Sequence, residues 1–244
     1  MTVKRVKFDW SMLDRENLIA MFWQLHPKIV NTALTAHQIQ HLFSKHIKLH
    51  LPVRVSKKFD PSVELGFIYT GGCYYSEWDQ SRQKCIEVLF VYNPIDEYLI
   101  IDKKRFSRMC RTFADTLLHE VIHMRQYRRR KFKIIPDYES NAVKTELIQE
   151  QSYLGCADEI DAYSFNIACE LLDKFKGNSD LAIAYIGKTH RRGHLKSNSL
   201  RSYLKAFEYD HNHPIIKRVK KRVIRYMPHA EQGKPYRNKE WINR

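Results

Sequence analysis

The segment TLLHEVIHMRQY, Thr116 to Tyr127, decides how the rest of the chain is read. It holds His119-Glu120-Val121-Ile122-His123 within a stretch whose apolar pattern predicts one helix from about Lys104 to Arg128. At about 3.6 residues per turn, positions four apart share a face, so the two imidazoles can reach one metal ion while Glu120 lies beside it. Neutral histidines are ligands of the type zinc prefers. A third protein ligand completes such a site, and the fourth position stays open for a water whose pKa falls to about 7. Glu120 is then the candidate catalytic residue, the general base that takes the water's proton. Phe113, Leu117, Val121, Ile122 and Met124 make the surrounding helix largely apolar, hence at least half buried. A glutamate and two histidines buried there need partners or a metal to offset desolvation. Asp115, one turn before His119, is placed to hold an imidazole by its other nitrogen.

Outward toward the amino terminus, the hydrophobic period changes to two between Leu51 and Ile101. Strands are expected at Pro52–Phe59, Leu65–Tyr75 and Lys84–Tyr92, with a fourth at Tyr98–Ile101. Gly71-Gly72 marks a bulge or a close backbone approach. An edge strand above the motif could hold an extended peptide by strand addition; equally, the strands could serve only to cover the helix. Residues 11–50 read as two helices, the first capped by Ser11 or Asp14 and stopping near His26-Pro27, the second capped by Thr35. His37, His41, His46 and His50 alternate with Gln and Lys on the second, which reads as a solvated face.

On the other side of the motif come the basic run RRRKFK at 128–133, Pro136 and a helix expected around Ala142–Gln151. The next strong element is ADEIDAYSFNIACELLDKF, Ala157–Phe175. On a helical wheel Ile160, Phe165, Ile167, Ala168, Leu171, Leu172 and Phe175 form an apolar arc that includes Asp161, while Glu159, Asn166, Glu170 and Asp173 lie opposite. Asp161 is therefore the expected third metal ligand, with Glu159, His190 and His194 as the other candidates. Asp161 also has a purely local role open to it, as the third-position acid of a helix capped by Asp158.

TLLHEVIHMRQY followed by EIDAYSFNIACELL resembles the HExxH metallopeptidase-like proteins of the ImmA/IrrE and SprT-like kind, especially those encoded by bacteriophages. In the ImmA/IrrE pattern the later helix reads roughly E-x-E-A-x-x-F-A, with the second acid as zinc ligand. Glu159-Ile160-Asp161-Ala162-Tyr163-Ser164-Phe165 matches it with Asp161 in that place, one methylene shorter, so this helix would have to come closer to the metal. The match covers about residues 110–175. It implies a zincin-like fold, a bound zinc ion and hydrolysis of peptide bonds in a protein or peptide substrate.

The whole chain of 244 residues has a formal net charge of +15 and 43% hydrophobic residues, which excludes a disordered chain. Five scattered cysteines without a C-x-x-C pair suggest reduced thiols in a cytoplasmic setting, the host cytoplasm or a virion for a phage protein. No membrane span or secretory leader is expected. Residues 186–244 carry 16 Lys and Arg against 4 acids. This segment suggests phosphate contacts with nucleic acid, an acidic protein partner or a phage assembly partner, through a helix opened by Pro214.

The fold class expected is α+β: amino-terminal helices and a small, mostly antiparallel sheet packed on the HExxH helix, then a helical carboxy-terminal part. A zincin-like domain over residues 1–185 and a basic helical extension over 186–244 are expected. Two functions fit. One is a zinc peptidase with metal on His119, His123 and Asp161, Glu120 as base, and a donor such as Tyr163 at the oxyanion. The other is a non-catalytic virion component or nucleic-acid-associated factor that keeps the fold.

Overall fold

The computed structural model describes residues 13–48, 53–75, 86–131, 133, 145–189 and 195–235. The chain divides into two compact units, Met1–Met124 and Arg125–Arg244, and one helix runs through the boundary.

The first unit opens with α1 (Arg15–Trp23), α2 (His26–Ile29) and α3 (Ala36–Lys48). Asp14 caps α1 by accepting from the Asn17 amide at 2.8 Å. Three helices stand where two were expected, because Pro27 occupies the first turn of α2, where its missing N–H costs nothing, instead of closing α1. Thr35 and Gln38 form a reciprocal capping box at the start of α3: the Gln38 amide donates to Thr35 Oγ1 at 3.1 Å, and the Thr35 amide to Gln38 Oε1 at 2.8 Å.

Three strands follow, β1 (Val53–Phe59), β2 (Ile68–Tyr74) and β3 (Ile86–Tyr92), in the order β1-β3-β2. β2 pairs antiparallel with β3, but β1 pairs with it in parallel, Val53 opposite Ile86. The sheet is therefore evenly mixed rather than mostly antiparallel. Central β3 is apolar along most of its length, as a strand covered on both faces must be. Its one acid, Glu87, is buried and accepts from the hydroxyls of Ser56 and Tyr75, with Arg54 Nε at 3.2 Å. Burial and this bond push the Tyr75 phenol up to about 12. No fourth strand forms at Tyr98–Ile101. Leu99 and Ile101 make isolated bridges to Leu34 and Val30, tying the approach to the next helix back to the α2–α3 connection.

That helix, α4 (Lys103–Arg129), carries the motif. Phe113 stands at the centre of an aromatic cluster, its ring centroid 4.6 Å from Phe22 of α1, 5.3 Å from Phe43 of α3 and 5.5 Å from Phe90 of β3. Three elements thus fix the rotation of α4. Asp115 takes the guanidinium of Arg15 in two hydrogen bonds, at 2.5 and 3.0 Å, a buried pair pinning α1 to α4.

The second unit contains the end of α4, then α5 (Glu146–Gly155), α6 (Ala157–Lys174), α7 (Ser179–Gly187), α8 (Asn198–Ala206) and α9 (Pro214–Glu231). Thr145, Asn178, Ser197 and His213 cap α5, α7, α8 and α9. α6 is the central helix, touched by α5, α7, α8 and most extensively by α9. Ile216, Val219, Val223, Tyr226 and Met227 of α9 are buried against this core. Residues of the basic segment in α8 and α9 share the α6 core of this unit. Among the described residues no helix is long and apolar enough to cross a membrane.

Candidate metal centre

His119, Glu120 and His123 are 6%, 5% and 9% exposed on α4. The two His Nε2 atoms lie 3.0 Å apart, within hydrogen-bond distance, with the ring planes at 76°. Two nitrogens bound tetrahedrally to one zinc at roughly 2.0–2.1 Å stand about 3.3 Å apart. The pair fits that spacing.

β2 lies directly on this face of α4. Thr70 Oγ1 is 3.2 Å from Thr116 Oγ1. Two residues on, Gly72 leaves no room for a side chain: a Cβ built there would stand 2.4 Å from Glu120 Oε1, and 2.8 Å from both Glu120 Cγ and Thr116 Cγ2. The glycine pair thus marks a close approach, made by the backbone of a strand on the edge of the described sheet, over the very glutamate of the motif.

Beyond His123, the last turns of α4 dock on the first turn of α6. Arg130 grips the Asp158 carboxylate in a fork, at 2.8 and 2.7 Å, and Gln126 Nε2 donates to the Asp158 carbonyl at 3.1 Å. The residue this docking presents is Glu159, only 1% exposed although the wheel points it to solvent. His119, His123 and Glu159 offer ligand atoms within 4.8 Å of one another, the one such group among the described residues. Asp161 is not in it. Its carboxylate receives Arg222 Nε of α9 at 2.9 Å and Gln126 Nε2 at 3.4 Å, and it turns toward α9 for that reason.

Two histidines and a carboxylate form a donor set suited to zinc, and their burial calls for a compensating charge or partner. Tyr163, the expected oxyanion donor, sets its ring against Tyr203 of α8 at 5.7 Å. Tyr203 is a residue that sequence reasoning missed. Its hydroxyl is buried with no hydrogen-bond partner among the described residues, and burial, then the Glu159 charge, pushes its pKa well above the ordinary value. Nothing local marks it, since it lies 44 residues along the chain, in a segment read for its charge. His190 and His194 lie outside the described residues. The chain matches no protein-family model, no curated protein and no solved structure.

Proposed function

We propose that the chain is a zinc-dependent peptidase of zincin-like fold, with the metal held by His119, His123 and Glu159 and with Glu120 as general base. The observation that carries this reading is the buried His-His-Glu donor group with a fourth buried residue, Glu120, on the same helix. Zinc, when bound, supplies a Lewis acid and brings the pKa of a water in its open position to about 7. Glu120 accepts a proton at its carboxylate and delivers it to the leaving amine. β2 aligns an extended peptide through the main-chain groups of its outer edge, and the packing of Gly72 on Glu120 sets the distance between peptide and base. Tyr203, with its proton held by burial, is a candidate hydrogen-bond donor beside Glu159.

Metal content and hydrolysis of unfolded casein, measured on wild type and single variants, test this. Wild type should hold one zinc per chain, and His119→Ala and Glu159→Ala should lose it. Asp161→Ala should keep it, and Glu120→Gln should keep the metal but lose hydrolysis, since an amide accepts no proton. A wild type that takes up no zinc, or a Glu120→Gln variant as active as wild type, refutes the reading. The exposed cations of α9, among them Lys217, Arg218 and Lys221, favour a second reading as a nucleic-acid-binding protein with a structural metal. In that case Glu120→Gln would change nothing measurable.

A further inference from the structure

The second unit contains a cavity of about 250 Å³ whose walls come from the end of α4, the start of α6 and the outer side of α9. Arg125 and Arg129, one turn apart on α4, line one side, and Arg222, Arg225 and His229 on α9 line another. Asp161 is the one acid among the described residues of the lining. Four guanidinium groups thus surround a small volume against a single carboxylate, and that carboxylate already pairs with Arg222 at 2.9 Å.

Such an arrangement is unfavourable by itself. Like charges gathered round one cavity repel, and the repulsion grows as water is excluded from it. The rows also follow the helical repeat: positions i and i+4 on α4 and i, i+3 and i+7 on α9 each present one face, so both faces deliver their cations to the same space. Guanidinium is the planar, forked donor that binds phosphate oxygens two at a time. A single carboxylate ligand would offset one of these charges, and phosphates in a row would offset one or more each.

We propose that this cavity is a binding site for closely spaced phosphate groups, with Arg125, Arg129, Arg222 and Arg225 as ligands and Asp161 as the positioning residue that fixes Arg222. The site needs no metal and is independent of the peptidase reading. Its phosphates come from a free polyphosphate or nucleotide, or from a nucleic-acid backbone.

Calorimetric titration of the full chain with inorganic tripolyphosphate at low salt tests the proposal. Arg129 and Arg225 are exposed, so Arg129→Ala/Arg225→Ala removes two ligands without disturbing the core. Lys217→Ala/Lys221→Ala removes the same charge from α9 outside the cavity. Tripolyphosphate should bind wild type, and the arginine pair should weaken it at least about tenfold, the loss expected from one or two charge-assisted hydrogen bonds. The lysine pair should leave affinity within about threefold. A wild type that does not bind tripolyphosphate at millimolar concentration, or equal losses in the two double variants, overturns the proposal. A labelled single-stranded oligonucleotide then separates the sources. Displacement by tripolyphosphate together with loss in the arginine variant supports the site and assigns it to a backbone. Tripolyphosphate binding that the oligonucleotide does not compete for supports it and assigns a free polyphosphate.

Discussion

Replacing Gly72 by alanine tests the link between the sheet and the motif. The backbone of Gly72 is not in the left-handed region, so an alanine meets no conformational barrier there. In open space it would even stabilise by about 0.4–1 kcal/mol through the unfolded chain. Its Cβ, however, would lie 2.8 Å from Glu120 Cγ and from Thr116 Cγ2, where carbon atoms prefer about 3.5–4.0 Å. Glu120 Oε1, at 2.4 Å, sits at the end of a flexible side chain and can swing aside. The other two atoms cannot move so easily, since Thr116 is β-branched and stiff on a helix, and Cγ of a helical glutamate has few rotamers. Relief therefore lifts β2 by about an ångström or turns Glu120 away. Overpacking of this kind costs about 1–3 kcal/mol, for a net loss of about 1–2 kcal/mol. Urea unfolding measures it, with Gly71→Ala as control, because a Cβ at Gly71 meets only ordinary contacts at 3.9–4.0 Å from Leu89. In a Glu120→Ala background, where two of the three clashes vanish, the cost of Gly72→Ala should fall by about 1 kcal/mol. Casein hydrolysis, if present, should drop about a hundredfold with the displacement of the base. Equal stability of Gly72→Ala, Gly71→Ala and wild type would refute the reasoning.

Asp115→Ala removes the carboxylate that takes two hydrogen bonds from the buried Arg15 and should cost about 3–5 kcal/mol, while Arg15→Met/Asp115→Leu should recover most of it; a double variant as unstable as the single one would contradict this. Burial pushes the Cys110 thiol up from 9.0 to about 12, so between those pH values the unfolded chain releases a proton that the folded chain keeps. Stability should accordingly fall as pH rises through that window, and less steeply for Cys110→Ala; identical alkaline unfolding curves would show that burial does not hold the proton. Arg130→Ala unclamps the first turn of α6 from α4 and should cost about 1–2 kcal/mol, the pair being a quarter exposed on the arginine side, with faster amide exchange at residues 157–161 as the local readout. Unchanged exchange there would mean that Gln126 alone holds the turn.

The motif helix, the three main strands and the caps at Asp14 and Thr35 were legible because each rests on interactions within a few residues. Strand pairing was not. The parallel register of β1 on β3 joins residues 33 apart, and period-two alternation is the same for either direction. The Tyr98–Ile101 segment has strand composition, yet its bridges go to Leu34 and Val30, which no local pattern could indicate. Proline misled at His26-Pro27 for a related reason: it can close one helix or open the next, and only the neighbours decide.

That Glu159 rather than Asp161 stands beside His119 and His123 has a physical origin in α6. A helical wheel locates the core by assuming one buried stripe and one wet face. α6 has no wet face over its first four turns, since Glu159, Ser164 and Asn166 are buried together with the apolar positions. With helices packed round it, apolar side chains mark only where α6 meets other apolar surfaces, and its polar residues mark where it meets polar groups. Glu170, on the same polar side, shows the rule: it accepts the Ser199 amide and hydroxyl at 3.2 and 2.8 Å and so caps the start of α8. Glu159 belongs to that side. Asp161 lies near the apolar arc, but the arc faces α9, whose cations reach it through Arg222. In a fully enclosed helix an acid on the buried polar stripe can stand beside such a donor group, as Glu159 does. An acid beside the apolar stripe is more readily claimed by a neighbouring helix's cation, as Asp161 is.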